Sequence, residues 1–300
     1  MGRSALALAI WPLAFGLAAL ASGAGSNEAQ PWDAVDQVLA QAGKSLPGEV
    51  HKYSWPRRDL HVAVAGVELE PALALGSWAG FRASAEGHVM AMGDLALLAT
   101  EVTPVIRALQ AGGLDVLAVH NHLIGETPQI LYVHFAGHGR AEAIARGLRA
   151  ALEATRTPLD APSGAAAAPT AVEMASFDRV QQVLGRKGSL AGRVLQIGVA
   201  RAAKIQEDGV EVPATQGMAN AMNFQVVGDR VATTGDLVLV ADEVNPVVRV
   251  LEAHGIQVTA LHSHMLRESP RLFFMHFWGL DDPAKLAEGL KAALAELAVQ

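Results

Sequence analysis

Three histidines and a glutamate recur at one spacing in two places along this 300-residue chain. The first set is His120, His122, Glu126 and His134. The second is His262, His264, Glu268 and His276, each 142 residues downstream of its match. Imidazole nitrogens and carboxylate oxygens together suit a divalent transition metal, and this donor set does not separate Zn from Fe, Mn or Cu. Two histidines separated by one residue on a strand have Cα atoms about 6.5–7 Å apart and share a face, so both rings can converge on one ion. Each set therefore reads as a metal site, with Glu126 or Glu268 as a ligand or, in an enzyme, as general base. Two other readings fit the same residues: a pocket for a small polar ligand in a non-catalytic binding protein, and a structural network in which the histidines satisfy buried partners. The set persists while the residues inside it change, Asn121 to Ser263, Ile124 to Leu266 and Gly125 to Arg267. That favours a ligand-binding role.

The elements that must position these side chains also come in pairs. Residues 116–123 alternate as a strand that places Val116, Ala118, His120 and His122 on one face, matched by Val258, Ala260, His262 and His264. Residues 130–135 form a second strand, apolar on both sides, with His134 inside it. Upstream, Thr103-Pro104 and Asn245-Pro246 have the chemistry of an N-cap followed by the first helical residue, and Gly113 and Gly255 stop the helices so begun. Gly93-Asp94 and Gly235-Asp236 read as turns. The predicted fold is α+β: two homologous repeats, each a mixed β-sheet with covering helices, related by a pseudo-twofold axis. Repeat 1 spans residues 31–154, an Ala/Pro-rich linker spans 155–175, and repeat 2 spans 176–300.

Composition sets further bounds. The chain is 51% apolar, enough for one large core or two modest ones. A basic start, an apolar run and a cluster of small residues make residues 1–24 a cleavable secretory signal, so the expectation is an exported protein, periplasmic or secreted, with no membrane span after cleavage. There is no cysteine, which excludes disulfides, thiolate ligands and a cysteine nucleophile. The net charge of −7 lacks a basic cluster and excludes nucleic acid as a partner. The expected partner is a metal ion or small polar ligand.

The His-x-His…Glu spacing is similar to the first metal motif of the cupins. Val133, where a cupin has glycine, and the helix feeding the strand limit that likeness to metal geometry. A longer resemblance covers nearly the whole chain. The series Gly-Asp-Leu, Glu-Val-x-Pro-Val, His-x-His, Glu-x-Pro and His-Phe-x-Gly in residues 93–137, repeated in 235–279, resembles the LppY/LpqO family of exported bacterial proteins of unknown function. That resemblance implies export and a tandem-repeat architecture and carries no assigned activity. The cysteine on which its lipoprotein members depend is absent here.

Overall fold

The computed structural model describes Met1 and residues 31–84, 87–160 and 167–300. Apart from Met1, the expected signal segment lies outside the described residues. Repeat 1 consists of α1 (Pro31–Leu39), β1 (Lys44–Leu46), β2 (Val50–Pro56), β3 (Ala63–Val64), β4 (Val67–Glu68), α2 (Pro71–Ala74), β5 (Gly76–Ala83), β6 (Val89–Leu98), α3 (Ala99–Ala111), β7 (Asp115–His120), β8 (Ile130–Gly139) and α4 (Ala141–Glu153). Repeat 2 follows the same plan: α5 (Ala171–Leu184), β9 (Ser189–Ala191), β10 (Val194–Ala200), β11 (Gln206–Glu207), β12 (Val210–Glu211), β13 (Ala219–Val227), β14 (Arg230–Leu239), α6 (Ala241–Ala253), β15 (Gln257–His262), β16 (Glu268–Ser269), β17 (Phe273–Asp281) and α7 (Pro283–Ala295). A single 3-10 turn, Ala214–Gln216, stands where repeat 1 has α2. Helix α5 begins inside the stretch read as linker, because Thr170 Oγ1 accepts from Glu173 N while the Glu173 carboxylate returns to Thr170 N.

Each repeat builds one six-stranded sheet, in the order β1-β2-β5-β6-β8-β7 and β9-β10-β13-β14-β17-β15. The two α+β repeats with their covering helices are as expected, and the pairing refines the sheet type: every pair within the two sheets is antiparallel. Strands β6 and β7 run the same way because α3 carries the chain between them, and β8 turns back from β7 into the slot between the two. This is a split β-α-β arrangement, and it makes β8 an interior strand.

Period-2 alternation then assigns the two faces of each sheet. In repeat 1, Leu95, Val133 and Phe135 pack with Val105 and Leu109 of α3 and Ile144 and Leu148 of α4. In repeat 2, Leu237, Met275 and Phe277 pack with Val247, Leu251, Leu286 and Leu290. The opposite faces meet each other: one shared cluster joins Ile130 and Tyr132 to Val194 and Trp278, and another joins Met90 and Met92 to Met218 and Phe274. The layers are thus helix, sheet, sheet, helix, with the seam between the repeats at the centre. Amide side chains of repeat 2 fasten it, Asn223 Nδ2 donating to Leu73 O at 2.8 Å, Gln196 Nε2 to Ala72 O at 2.8 Å and Gln225 Nε2 to Glu68 O at 2.8 Å.

Helices α3 and α6 start at Ala99 and Ala241, five residues before the expected first helical residues, so Pro104 and Pro246 lie within them. The cause is a buried ion pair. Arg57 is fully buried and donates to Glu101 at 2.7 Å and to Ala96 O at 2.8 Å, while Glu101 accepts from Leu98 N at 2.8 Å. The fixed carboxylate closes the helix start itself. Arg201, Glu243 and Val240 repeat the arrangement. Both helices end as expected, Gly113 and Gly255 taking positive φ just beyond them.

Gly93 and Gly235 lie in the middle of β6 and β14, not in turns. A Cβ on Gly93 would meet the Trp78 carbonyl and the Phe135 ring at 2.6 Å; one on Gly235 would meet the Ala221 carbonyl and Phe277 at 2.9 Å. The missing side chain is what lets each phenyl ring pack against the glycine backbone. Gly235→Ala is expected to destabilise the protein by about 1–3 kcal/mol through overpacking, measured by urea unfolding.

Candidate metal centre at the seam

Cross-strand register brings the candidate residues to the seam. Asp94 on β6 faces His134 on β8, and His134 faces Ala118 on β7. Asp236, His276 and Ala260 form the same row in repeat 2. Residues directly opposite share a face, so each row presents a carboxylate, an imidazole and a methyl group toward the other repeat. His120 and His262 follow two residues past the alanines and close β7 and β15 on that face.

A bulge between Val116 and Ala118, and another between Val258 and Ala260, changes one detail of the strand expected over residues 116–123. The extra residue turns Val116 into the helix-side core while Leu117 packs into the seam, so Val116 does not share a face with Ala118 and His120. His122 and His264 lie beyond the strand ends and reach the cluster from the turns that follow. Thr259 Oγ1 donates to His122 O at 2.5 Å and Asn121 Nδ2 donates to Thr259 O at 3.2 Å, tying the first turn to β15.

All six histidines converge. The ring centroids of His120 and His262 are 3.7 Å apart, those of His134 and His264 3.7 Å, and those of His122 and His276 3.8 Å; each of these contacts crosses from one repeat to the other. Tyr132 stacks on His122 at 3.3 Å, and Phe274 stacks on His264 at 3.6 Å in the matching place. Asp94 Oδ2 lies 3.4 Å from His134 Nε2 and 3.5 Å from His122 Nε2, and Asp236 Oδ2 lies 3.7 Å from His264 Nε2. The two aspartates are the site residues that sequence reasoning missed. Their signal was present: Gly-Asp recurs in both copies inside a largely apolar run, a pattern that belongs to a strand as readily as to a turn.

The expected glutamates stand apart from these donor groups. Glu126 Oε1 accepts from Ile130 N at 3.0 Å and Glu268 Oε1 accepts from Leu272 N at 3.0 Å, so each carboxylate braces the turn into the next strand. Those turns contain the cis peptides Thr127–Pro128 and Ser269–Pro270. The carboxylates that lie beside the imidazoles are those of Asp94 and Asp236. His138 bonds Ser84 Oγ at 3.1 Å, outside the cluster.

Burial sets the electrostatics. It holds His134 down to about 3, partly opposed by Asp94 and reinforced by the neighbouring imidazoles, and holds His262 down to about 2. His122, His264 and His276 are also pushed well below 6.5 by burial and then by neighbouring imidazoles, and His120 is lowered by burial against the pull of Asp94. Burial, with Asp94 as a like charge, raises the Asp236 carboxyl well above the usual carboxylate range. Neutral imidazoles are the form that binds metal.

Each of the eight residues carries a buried atom without a hydrogen-bond partner in the protein: Nε2 of His120, His122, His134 and His276, Nδ1 of His262 and His264, and Oδ1 of Asp94 and Asp236. The bonds that are made are few: His276 Nδ1 with Gly235 O at 2.8 Å, His120 Nδ1 with Asn121 O at 3.2 Å, and the two Nε2 atoms of His262 and His264 at 2.9 Å. Overlapping groups of three donors, their ligand atoms within 4.8 Å of one another, recur across the cluster and include residues of both repeats. Nitrogen and carboxylate donors in a buried, unsatisfied set fit a divalent transition ion.

The sequence model of the family described as "Domain of Unknown Function (DUF1259)" matches residues 33–154 and again residues 178–296. No curated protein matches the chain. Among solved structures, a trimeric bacterial microcompartment shell protein, PduB, aligns at 13% identity over 85% of this chain and 91% of its own, with a TM-score of 0.21. EtuB from Clostridium kluyveri aligns at 11% identity over 84% and 90%, with a TM-score of 0.19.

Proposed function

The chain belongs to the Domain of Unknown Function (DUF1259) family, carried as two tandem copies, and from that premise we propose that it is an exported protein whose seam binds a divalent transition metal. The observation that carries this reading is the orphaned set: eight imidazole and carboxylate side chains, each with a buried atom that has no hydrogen-bond partner in the protein. An unpaired buried polar atom costs about 1–3 kcal/mol, so a core assembled from eight of them needs a partner that a hydrogen-bonded network would already have supplied. Zn, Fe, Mn and Cu all suit the donors.

Untagged protein stripped with chelator and dialysed against each metal in turn is expected to retain at least one ion per chain. Its unfolding midpoint is expected to rise with free metal, by about 2.7 kcal/mol of stabilisation at one hundred times Kd. Absence of both retention and shift with all four metals would overturn the reading.

Export and catalysis are parts of the same proposal. The signal-like residues 1–24 and the resemblance to LppY/LpqO proteins support export, and amino-terminal sequencing of the protein recovered outside the cytoplasm tests it. Catalysis would use Glu126 and Glu268. Burial pushes the Glu126 carboxyl up to about 7, which suits a group moving protons near neutral pH, and its Oε2 has no partner. Glu126→Gln is the discriminating variant: it retains metal and loses turnover if the carboxyl carries protons.

A further inference from the structure

The eight donors contain two triads that share no residue. Asp94, His120 and His134 bring three ligand atoms within 4.8 Å of one another, all from repeat 1, and Asp236, His264 and His276 do the same in repeat 2. Each triad is one carboxylate and two imidazoles, a set that by itself holds a divalent ion and leaves positions open. Each also has a third imidazole at hand: His122 Nε2 lies 3.5 Å from Asp94 Oδ2, and His262 Nε2 lies 2.9 Å from His264 Nε2. A transition ion takes about four to six ligands, so one ion leaves part of this buried set unsatisfied, whereas two ions use all of it.

We propose, resting on the metal-binding reading above, that the seam is a two-ion centre with one divalent transition ion per repeat, held by Asp94, His120 and His134 on one side and by Asp236, His264 and His276 on the other. Each copy carries a whole triad built on the same Asp–His row, completed by the first histidine of its pair, His120, in repeat 1 and by the second, His264, in repeat 2. The ions are neighbours. The groups His120-His122-His276 and His120-His262-His264 also have ligand atoms within 4.8 Å, and both cross the seam. The two ions therefore face each other across imidazoles contributed by both repeats.

The test uses untagged protein of the full chain after signal removal, loaded with Mn(II) alone and separated from free metal. Elemental analysis is expected to give two ions per chain, and the electron paramagnetic resonance spectrum is expected to show spin-coupled Mn(II). Asp94→Asn and Asp236→Asn, which keep the side-chain shape, are each expected to halve the stoichiometry and leave the spectrum of isolated Mn(II). One ion per chain in the unaltered protein, lost completely in either variant, would overturn the two-ion assignment and leave metal binding intact. No bound ion with Mn(II), Fe(II), Zn(II) or Cu(II) would overturn both. Two ions without spin coupling would overturn the shared centre. The stoichiometry and spectrum of the unaltered protein decide the matter even where a variant fails to fold.

Discussion

Glu101→Ala is expected to cost the protein about 3–5 kcal/mol, enough to leave a domain of ordinary stability largely unfolded. The carboxylate sits at a junction that few single residues occupy. It pairs with the fully buried Arg57 at 2.7 Å, accepts from Leu98 N at 2.8 Å to start α3, and accepts from Arg156 N at 2.9 Å where the chain leaves α4. Removing it strands a guanidinium in the core with only Asp59 and a carbonyl to answer it, and leaves two backbone N–H groups unpaired. Glu101→Gln retains part of the hydrogen bonding and is expected to cost less. The check is urea unfolding followed by circular dichroism, with the double variant Arg57→Met/Glu101→Leu as control. If the loss comes from the stranded charge, the double variant is expected to recover much of it; equal loss in both would refute that cause.

The metal-free protein is expected to lose stability steeply as pH falls below about 6.5. All six seam imidazoles are held below their ordinary 6.5 by burial, His134 to about 3 and His262 to about 2. The unfolded chain therefore binds protons that the folded chain refuses. Stability is full above 6.5 and declines through the window from 6.5 toward 3, by up to about 1.4 kcal/mol per pH unit for each imidazole kept neutral. Asp236 and Glu126, both raised by burial, act in the opposite sense, and the Asp94 carboxylate facing His122 and His134 favours one added proton. Six lowered imidazoles outnumber these opposing groups, so stability falls on balance as pH drops through the window. Urea midpoints of chelator-treated protein between about pH 7 and pH 5 measure it, and a flat profile would refute it. Bound metal keeps its imidazole ligands neutral in the folded state, so loaded protein is expected to hold its midpoint until the metal is released.

Which parts of this arrangement were legible in sequence follows from the range of the interactions involved. The duplication is written in one spacing that recurs 142 residues downstream, and the strand carrying His134 and the glycine ends of α3 and α6 in residues close together, where periodicity and turn chemistry apply. Asp94 was not legible as a site residue. Gly-Asp has the local chemistry of a turn, and only pairing of β6 with β8 sets Asp94 opposite His134. The start of α3 was hidden for a similar reason, since the arginine that fixes Glu101 lies 44 residues away. The bulge at Leu117 leaves no mark in the alternation and is set by the register with β8. Glu126 has the residue type of a ligand, yet its hydrogen bond to Ile130 N accounts for one of its oxygens without any ion.

The seam also bears on how this chain can change over time. In a dimer of identical subunits every substitution at the interface would appear on both sides at once, and any improvement to one wall of the site would be forced on the other. Here the two walls are separate stretches of a single polypeptide, and they have begun to part: Tyr132 covers His122 where Phe274 covers His264, and Asn121 reaches across the seam where its match, Ser263, bonds Leu272 O within its own repeat. Fusion of the two copies has freed each half to be tuned alone, so the cluster can acquire a front and a back that a symmetric assembly could never have.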